Sequence, residues 1–226
     1  MDTPAEARDY DAMDHSAVNR VFVDDFLAAL RAAGLWDRPQ ADSRLTILDT
    51  GTGTALIPIE LLSRFAADEI AGLHVTAIDL AAEMLAVAER NVAGAGFSRG
   101  IQLARVDCKA LPYADGEFDA VTSNSIVHHI PQPDTALAEM WRVLRPGGLL
   151  FLRDLLRPAD RETLDALVQT YAGDENPHQR QMFRDSLQAA LALDELRGLL
   201  SDVGIPPAAA RQTTDRHWTL AVVREV

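Results

Sequence analysis

The sequence predicts an α/β fold with a doubly wound, mostly parallel sheet of seven strands and helices on both faces. Two observations predict it. Short apolar runs that end at a polar residue alternate along the chain with longer segments of helical periodicity, which is typical of a parallel sheet covered on both faces. The first run, residues 45–48, passes through Asp49 into a turn with Gly51 and Gly53 and then into a helical segment. Because two glycines let a ligand approach the backbone closely, we expect a binding site there.

The bulk composition limits the class of protein. The chain has 226 residues, of which 48% are hydrophobic and 24% charged, values that predict one globular domain with appended helices. No apolar run is long enough to cross a bilayer, and the first residues lack the basic and apolar regions of a secretion signal. We therefore expect a cytoplasmic protein without membrane contacts. The composition does not predict an oligomeric state.

Charge and cysteine content exclude further classes. The formal net charge is -13 and no run of basic residues stands out, so a nucleic-acid backbone would be repelled and nucleic-acid partners are not expected. Cys108 is the only cysteine, which excludes an intramolecular disulfide and a cysteine-rich zinc site. No metal site is predicted.

The N-terminal half supplies the first units of the alternation. Residues 1–15 form a polar arm, in which Tyr10, Met13, Asp14 and His15 could fold over a ligand site. Helical spacing over residues 16–33 ends at Gly34. The core elements that follow are a strand at 45–48, a helix at 56–67 with proline in its first turn, a strand at 73–79 and a helix at 81–93.

The second half continues the pattern and then departs from it. Strands are predicted at 101–106, 118–123 and 149–152, with a helix between the last two that starts near residue 131 and is broken by residues 145–148. Three helices are predicted in a row, at 160–172, 178–191 and 193–203, whereas one crossover connection between strands needs a single helix. We expect the additional helices to build a pocket wall or an oligomer contact. Strands at 211–214 and 217–223 complete the sheet as a hairpin at its edge.

These segments define the predicted organisation of the chain. One domain covers residues 1–226 and consists of four parts. They are an N-terminal arm and helix (1–40), a cofactor-binding core (44–157), a helical insertion (158–204) and a C-terminal hairpin (205–226).

Polar residues end five successive predicted strands. They are Asp49, Asp79, Asp107, Asn124 and Asp154. A single acid in such a position is commonly a helix cap, but parallel strands bring their carboxyl ends to one edge of the sheet, where ligands bind. Five polar strand ends therefore predict a shared cleft, and the separation of Asp49 from Asp79 suits an acid that reaches a bound ribose.

The ordered set of motifs resembles the class I S-adenosylmethionine-dependent methyltransferases, especially the small-molecule enzymes that include ubiquinone and menaquinone methylases. The resemblance covers about residues 44–153. It rests on Leu48-Asp49-Thr50-Gly51-Thr52-Gly53, Ala77-Ile78-Asp79-Leu80 with Met84-Leu85, Asp107 with Leu111-Pro112-Tyr113, Asp115-Gly116-Glu117-Phe118-Asp119, Ile126-Val127-His128-His129 and Val143-Leu144-Arg145-Pro146-Gly147-Gly148. No single motif is specific, but the order is. The family's fold is Rossmann-like, with the last strand antiparallel.

The sequence departs from the family pattern at one place. The glycine turn of the family often has a third glycine where this chain has Ala55, and alanine is small enough to keep helix and strand close. A nicotinamide-binding loop needs glycine at the next position, where Leu56 stands. A dehydrogenase is therefore the weaker alternative.

The resemblance implies a cofactor, S-adenosylmethionine, and S-adenosylhomocysteine as product. It implies that Gly51 and Gly53 approach the methionine part and that Asp49 supports its ammonium group. Asp79 would accept hydrogen bonds from the ribose hydroxyls. The remaining implied contacts are Leu80 and Met84 on the adenine, Asp107 and the Cys108 backbone at its amino group, and Asn124 near the methionine end. Met84 and Cys108 are equally compatible with ordinary core positions.

The residues on the acceptor side are predicted less directly. His128 and His129 follow the fourth strand, and either one is a candidate general base if the acceptor must lose a proton; the alternative is that the pair only orients the backbone. Substrate contacts are assigned to Tyr10 in the arm and to a basic and aromatic set on the insertion. The insertion set is Tyr171, Asn176, His178, Arg180, Phe183 and Arg184.

The absence of two motifs limits the class of methyl acceptor. Ser125-Ile126-Val127 follows Asn124 where methylases of exocyclic base amines have Pro-Pro-aromatic, and Cys108 ends the wrong strand to be a nucleophile for base carbon methylation. We therefore expect methyl transfer to a small organic acceptor. A second hypothesis from another class is a cofactor-binding regulator or subunit that has lost transfer activity.

Overall fold

The computed structural model describes residues 3–12, 15–36, 44–67 and 72–225. Within these ranges the chain forms seven strands and eight α-helices. The strands are β1 (Leu45–Thr50), β2 (Leu73–Asp79), β3 (Ile101–Arg105), β4 (Phe118–Asn124), β5 (Leu144–Leu155), β6 (Ala210–Gln212) and β7 (His217–Val223). The helices are α1 (Pro4–Asp11), α2 (Ser16–Ala32), α3 (Leu56–Ala67), α4 (Ala82–Gly94), α5 (Pro133–Val143), α6 (Arg161–Ala172), α7 (Pro177–Ala189) and α8 (Leu193–Asp202). No helix in these ranges is long and apolar enough to span a membrane.

All seven strands belong to one sheet, in the order β3-β2-β1-β4-β5-β7-β6. The pairs among β1 to β5 are parallel, whereas β7 runs antiparallel to both β5 and β6. The predicted fold class, a mostly parallel seven-stranded Rossmann-like sheet with an antiparallel last strand, is confirmed. The extra helices predicted near the N-terminus and between the fifth and sixth strands are also present.

Helices bury both faces of the sheet. Successive residues of a strand point to opposite faces. Ile47 and Phe151 belong to an apolar cluster with helix α2 on one face. Their chain neighbours Leu48 and Leu150 belong to a second cluster with helices α5 and α8 on the other face. Near-continuous apolar runs such as residues 45–48 are therefore explained by burial on both sides rather than on one.

The N-terminal arm contains a helix that the sequence analysis did not predict. Helix α1 packs on α4, where Ala7 is fully buried in a small cluster with Met84 and Val87. A helix of eight residues is marginal alone and owes its stability to such packing, so its local sequence contains little signal. Met13 and Asp14, named with the arm, lie outside the described residues.

One strand boundary and one short helix also differ from the prediction. Strand β5 begins at Leu144 rather than at residue 149, because the Pro-Gly-Gly segment continues the strand through an irregular register with β4 between Phe118 and Ala120. A short 3-10 helix, Val127–His129, follows β4. This one turn holds both candidate catalytic histidines.

The site lies where the sheet order reverses. From β1 the chain proceeds to β2 and β3 on one side and then returns to β4 on the other, so the loops after β1 and β4 diverge around a crevice at their carboxyl ends. The two loops touch: a Cβ added to Gly51 would meet Cγ1 of Ile126 at 2.5 Å. Gly51 therefore has a steric reason to lack a side chain, in addition to its φ of 72°.

Candidate functional site

The glycine turn after β1 adopts left-handed backbone conformations at three of its residues. Gly51, Gly53 and Ala55 have φ values of 72°, 55° and 64°. The backbone N–H groups of Gly51 and Thr52 both donate to the carbonyl of Ile78, at 2.8 and 2.9 Å, which ties the turn to the end of β2. Apart from its chain neighbours, no atom of the described residues lies within 4 Å of the position that a Cβ on Gly53 would take. The turn is thus fixed by the end of β2 and is open to a ligand at Gly53.

Asp79 connects this turn to the next helix. Its Oδ2 accepts a hydrogen bond from the Gly53 N–H and its Oδ1 accepts one from the Ala81 N–H, both at 2.8 Å. Each carboxylate oxygen still has free lone pairs, because an ionised carboxylate can accept about four hydrogen bonds. Asp79 therefore has fixed orientation and remaining acceptor capacity, as a residue that holds two ribose hydroxyls would need.

Asp49 is the most strongly perturbed acid of the crevice. It is 3% exposed, and its Oδ2 has no hydrogen-bond partner among the described residues. Burial raises the pKa of Asp49 to about 7, and the nearby charge of Asp79 adds to the increase. A buried acceptor without a partner is costly, and an ammonium group such as that of S-adenosylmethionine would satisfy it. The residues present therefore fit the cofactor implied by the sequence.

The predicted adenine contacts lie along the ends of β2 and β3. Leu80 is 55% exposed and its side chain is available to a ligand. Asp107 is half-exposed, and its two oxygens are 2.9 Å from the Lys109 N–H and 3.0 Å from the Lys109 Nζ, contacts that lower its pKa. Cys108 is half-buried, and burial raises its pKa to about 11, so its thiol is not a nucleophile at neutral pH.

Met84 and Tyr10 meet at the interface between α4 and α1. Met84 is buried beneath α1 in the cluster that Tyr10 borders, so the structure places it behind the adenine side rather than open to it. Burial raises the pKa of Tyr10, and the negative charges of Asp79 and Asp11 raise it further. The substrate contact of Tyr10 stays a prediction; the structure packs its side chain against the cluster of Ala7, Met84 and Val87.

His128 and Asp154 form a pair at the ends of β4 and β5. Nδ1 of His128 is 2.6 Å from Oδ1 of Asp154, and the His128 backbone N–H donates to Oδ2 at 3.1 Å. Both side chains are almost fully buried, at 4% and 1% exposure. Asp154 also accepts from the Leu155 N–H at 2.6 Å. It acts as an acceptor in every contact, so we assign the proton between the pair to Nδ1 of His128.

His129 has a different environment. The residue is exposed at its outer side, and its ring centroid lies 3.9 Å from that of His128. Desolvation of the ring by the surrounding protein lowers the pKa of His129 to about 4, and the neighbouring His128 lowers it further. Asn124 lies half-buried at the end of β4, and the next residue, Ser125, has a φ of 58°. This kink turns the chain from the strand into the histidine-bearing 3-10 helix.

The predicted insertion residues have several different environments. The Tyr171 hydroxyl donates to Asp215 at 2.6 Å, beneath the guanidinium of Arg216. Arg180 donates to the carbonyls of Ala172 and Gly173 at the end of α6. The remaining members of the predicted set are Asn176, which caps α7, His178, which is exposed, Phe183, which packs against the α6–α7 cluster, and Arg184, which lines a cavity.

Arg184 shares that cavity with residues that sequence reasoning missed. Arg157 and Arg161 line it too, as does part of helix α6. Asp154 was also missed as a partner, although its place at a strand end had been noted. The signal for the arginines was weak, since basic residues after a strand are common on any surface. Among the described residues, no group of three or more metal-binding side chains is arranged to hold a metal ion.

The chain is similar to known methyltransferases. The family described as "Methyltransferase domain" matches residues 48–152. Malonyl-[acyl-carrier protein] O-methyltransferase of Enterobacter lignolyticus is 36% identical over 168 residues, 73% of this chain and 59% of that protein. A ubiquinone/menaquinone biosynthesis C-methyltransferase of Geotalea daltonii is 30% identical over 112 residues, 50% of this chain and 46% of that protein. The chain thus spans about half the length of these curated relatives.

A solved structure extends the similarity to the whole fold. The crystal structure of a putative S-adenosyl-L-methionine-dependent methyltransferase from Methanococcus maripaludis aligns with a TM-score of 0.73 and 17% identity. The alignment covers 100% of this chain and 95% of that one. At this identity the similarity shows the fold alone. Together with the matched family segment, it confirms the resemblance seen in the sequence: residues 48–152 are similar to the methyltransferase domain, and the fold is that of S-adenosylmethionine-dependent methyltransferases.

Proposed function

We propose that this chain transfers the methyl group of S-adenosylmethionine to a small-molecule acceptor that loses a proton to His128. The observation that carries the proposal is the buried contact between His128 and Asp154, 2.6 Å long, at the same edge of the sheet as the cofactor residues. The family alone supports the cofactor and the type of reaction. The histidine pair supports an acceptor whose attacking atom bears a proton.

The cofactor is proposed to lie along the carboxyl ends of β1 to β3. Asp49 would hold the ammonium group, the open backbone at Gly53 would face the methionine part, and Asp79 would accept from the ribose hydroxyls. The proposed contacts that complete the set are Gly51, Leu80, Asp107, the Cys108 backbone and Asn124, with Met84 supporting this side from the cluster beneath α1. When bound, S-adenosylmethionine supplies a methyl group on a positively charged sulfur, and S-adenosylhomocysteine is the product.

His128 has the arrangement of a general base with an orienting partner. Asp154 holds Nδ1, which fixes the ring and its tautomer and makes Nε2 the nitrogen that can accept a proton. Among the described residues Nε2 of His128 makes no hydrogen bond. Burial of the pair excludes competing water, and orientation of the acceptor supplies much of the rate in such transfers. His129 remains a second candidate because its ring touches that of His128.

The names of the relatives suggest two acceptor classes. One relative methylates an oxygen of a malonyl group on an acyl carrier protein, and the other methylates a carbon in quinone biosynthesis. Both classes are proposals for this chain, which covers only about half of each relative. A hydroxyl or an activated carbon fits the proposed proton acceptor, because each loses a proton as it is methylated, whereas a carboxylate is already ionised at neutral pH.

The test separates cofactor binding from transfer. Calorimetry with S-adenosylmethionine is expected to show binding to the wild-type protein and weaker binding to Asp79→Asn, while Asp202→Asn, an exposed acid on α8, serves as the matched control. Methyl-labelled cofactor is then incubated with pooled phenols, quinols, carboxylic acids and amines. Label in a product that disappears in His128→Asn supports the proposal. No cofactor binding would reject it entirely.

Two rival functions have their own outcomes in this experiment. A regulator or subunit that uses the cofactor as a ligand would bind it and label no acceptor in any pool. A nicotinamide enzyme would be stabilised against heat by a nicotinamide cofactor and not by S-adenosylmethionine.

A further inference from the structure

A cavity of about 510 Å³ lies between the segment after β5 and helices α6 and α7. Its walls include three arginines, Arg157, Arg161 and Arg184, together with Pro158, Leu164 and Gln188. Both the volume and the mixture of an apolar wall with a few polar groups are typical of small-molecule sites, which occupy roughly 300–1,000 Å³. Leu164 is 6% exposed and forms part of the apolar wall. None of the residues assigned to the cofactor lines this cavity.

The basic character of the cavity is unusual for this chain. The whole sequence has 34 acidic residues and 21 lysines and arginines, yet three arginines line one cavity with a single acid. That acid, Asp160, is already engaged: its Oδ1 accepts from the Thr163 N–H at 2.8 Å and caps helix α6, which lowers its pKa. The carboxylate is thus stabilised by a helix N-terminus rather than by the arginines.

The arginines keep donors for a ligand. Arg184 forms an ion pair with Asp165 at 2.6 Å, and Arg157 pairs with Glu195. Neither acid lines the cavity. The Arg161 side chain is 90% exposed, and its contact with Asp165 is long, with 3.9 Å between Nε and Oδ2. Since a guanidinium has five N–H donors in a planar fork, most of the donors of the three side chains remain for a carboxylate or a phosphate.

The elements that form the cavity wall are neighbours of those that bear the histidine pair. Arg157 follows Asp154 by three residues, so the two backbones are separated by at most roughly 10 Å. The Arg157 N–H donates to the carbonyl of Leu191 at 3.1 Å, which fixes the start of the cavity wall. Helix α7, which bears Arg184, also contacts the 3-10 helix that bears His128. The cavity wall and the histidine pair are thus connected through the end of β5 and through helix α7.

We propose that this cavity binds an anionic group, a carboxylate or a phosphate, of the methyl acceptor, with Arg157, Arg161 and Arg184 as donors. The proposal rests on the proposed function and specifies its substrate class: an acidic small molecule with a short apolar part against Leu164 and Pro158. Bidentate geometry favours planar carboxylate or phosphate oxygens over a single-point anion. It assigns to Arg184 a role that His178 and Arg180, the other basic residues predicted with it, do not share.

Binding of defined probes tests this inference without knowledge of the acceptor. Succinate and inorganic phosphate are titrated calorimetrically at low and constant ionic strength, with dimethyl succinate as the uncharged control. We expect at least one anion to bind and the diester not to bind. The tighter of the two anions then identifies a carboxylate or a phosphate as the natural group. Equal binding of the diester, or no binding of either anion, would overturn the proposal.

Variants localise the binding. The double substitution Arg161→Gln with Arg184→Gln is expected to weaken anion binding about tenfold to hundredfold, as expected for loss of charge-assisted hydrogen bonds. Arg211→Gln, an exposed arginine on β6, should leave it unchanged. Asp165→Asn removes the ion pair but keeps both arginines, and it should preserve or strengthen binding. Binding that is unchanged in the double variant, or lost in Asp165→Asn, would contradict the assignment.

The same samples separate this inference from the proposed function. Cofactor binding and a cooperative thermal transition report that each variant is folded, and both should equal those of the wild type. If the wild-type protein binds no S-adenosylmethionine, the proposed function fails whatever the anions do. If it binds the cofactor and neither anion, only the cavity assignment fails.

Discussion

His128 and Asp154 are joined twice, by a 2.6 Å contact between Nδ1 and Oδ1 and by a 3.1 Å hydrogen bond from the His128 N–H to Oδ2. The second bond fixes the backbone of the 3-10 helix and the first fixes the ring, so one buried carboxylate sets both. The pair joins the ends of β4 and β5, which are neighbours in the sheet. The proposed general base and its positioning residue are thereby held by neighbouring strands of the sheet and by hydrogen bonds rather than by a loop alone.

Substitution of this pair should affect turnover more than cofactor binding. We expect His128→Asn and Asp154→Asn to lower kcat by about a hundredfold to ten-thousandfold, the usual contribution of a positioned base, with the affinity for S-adenosylmethionine within about twofold of wild type. His129→Asn distinguishes the two histidines and should have a small effect. Steady-state kinetics against the acceptor and calorimetry with the cofactor measure the two quantities. Loss of activity in His129→Asn alone would transfer the role to that residue.

Asp79 and Asp107, two of the strand-end acids assigned to the cofactor, should contribute differently to its binding. Asp79 accepts two backbone hydrogen bonds at the crevice, so Asp79→Asn should weaken cofactor binding about tenfold to hundredfold through lost charge-assisted bonds. Asp107 is half-exposed and paired with Lys109, and Asp107→Asn should cost less than about tenfold. Calorimetric dissociation constants check the order. An equal loss in the two variants would argue against the ribose role of Asp79.

The buried Asp49 should make stability depend on pH. Its pKa is about 7 in the folded protein and about 3.9 in an unfolded chain. Between these values the folded state keeps a proton that the unfolded state has lost, so the stabilisation is complete below about pH 4 and is lost as the pH rises through about 7. Relative to Asp49→Asn, the cofactor-free wild type should therefore lose stability across this window in urea titrations. Parallel pH profiles for the two proteins would contradict this.

The same acid should couple cofactor binding to proton release. An ammonium group beside Asp49 favours the ionised carboxylate, so the affinity for S-adenosylmethionine should fall by up to about tenfold per pH unit below about pH 7. Calorimetry at pH 6 in two buffers of different ionisation enthalpy should show proton release by the wild type. Asp49→Asn should release none from this site. Release that persists in the variant would place the proton on another group.

The contact between Gly51 and Ile126 allows a matched test of backbone and steric effects. Gly51→Ala must tolerate a φ of 72° and a Cβ 2.5 Å from Ile126. Gly34→Ala faces a φ of 66°, and within the described part of the chain only its sequence neighbours lie within 4 Å of the new Cβ. We expect Gly34→Ala to cost about 1 kcal/mol in free energy of unfolding and Gly51→Ala a further 1–3 kcal/mol, roughly the cost of overpacking. Urea denaturation measures both. Combining Gly51→Ala with Ile126→Ala should recover part of the steric cost, and the absence of any recovery would mean that the two loops do not meet as described.

Much of the fold could be predicted because its signals are local. The apolar runs and helical spacings mark β1 to β5 and α2 to α8 to within a few residues, and the glycine turn marks the binding edge. Helix α1 was missed because its stability comes from packing on α4 rather than from its own sequence. The start of β5 was missed because Pro-Gly-Gly ordinarily ends an element, and here an irregular register with β4 accommodates it.

The sequence by itself determined the chemistry of the cofactor edge, because parallel strands bring their carboxyl ends together whatever their loops do. Asp49, Asp79 and Asp107 therefore met at one edge as expected. Only the tertiary structure decided which side chains act together on the acceptor side. Asp154 joined His128 across 26 residues, Arg184 joined Arg157 at a cavity, and Tyr171 and Arg180 were engaged in contacts at the ends of α6. Such partnerships depend on how helices pack and where each side chain points, which surface helices of similar composition do not encode locally.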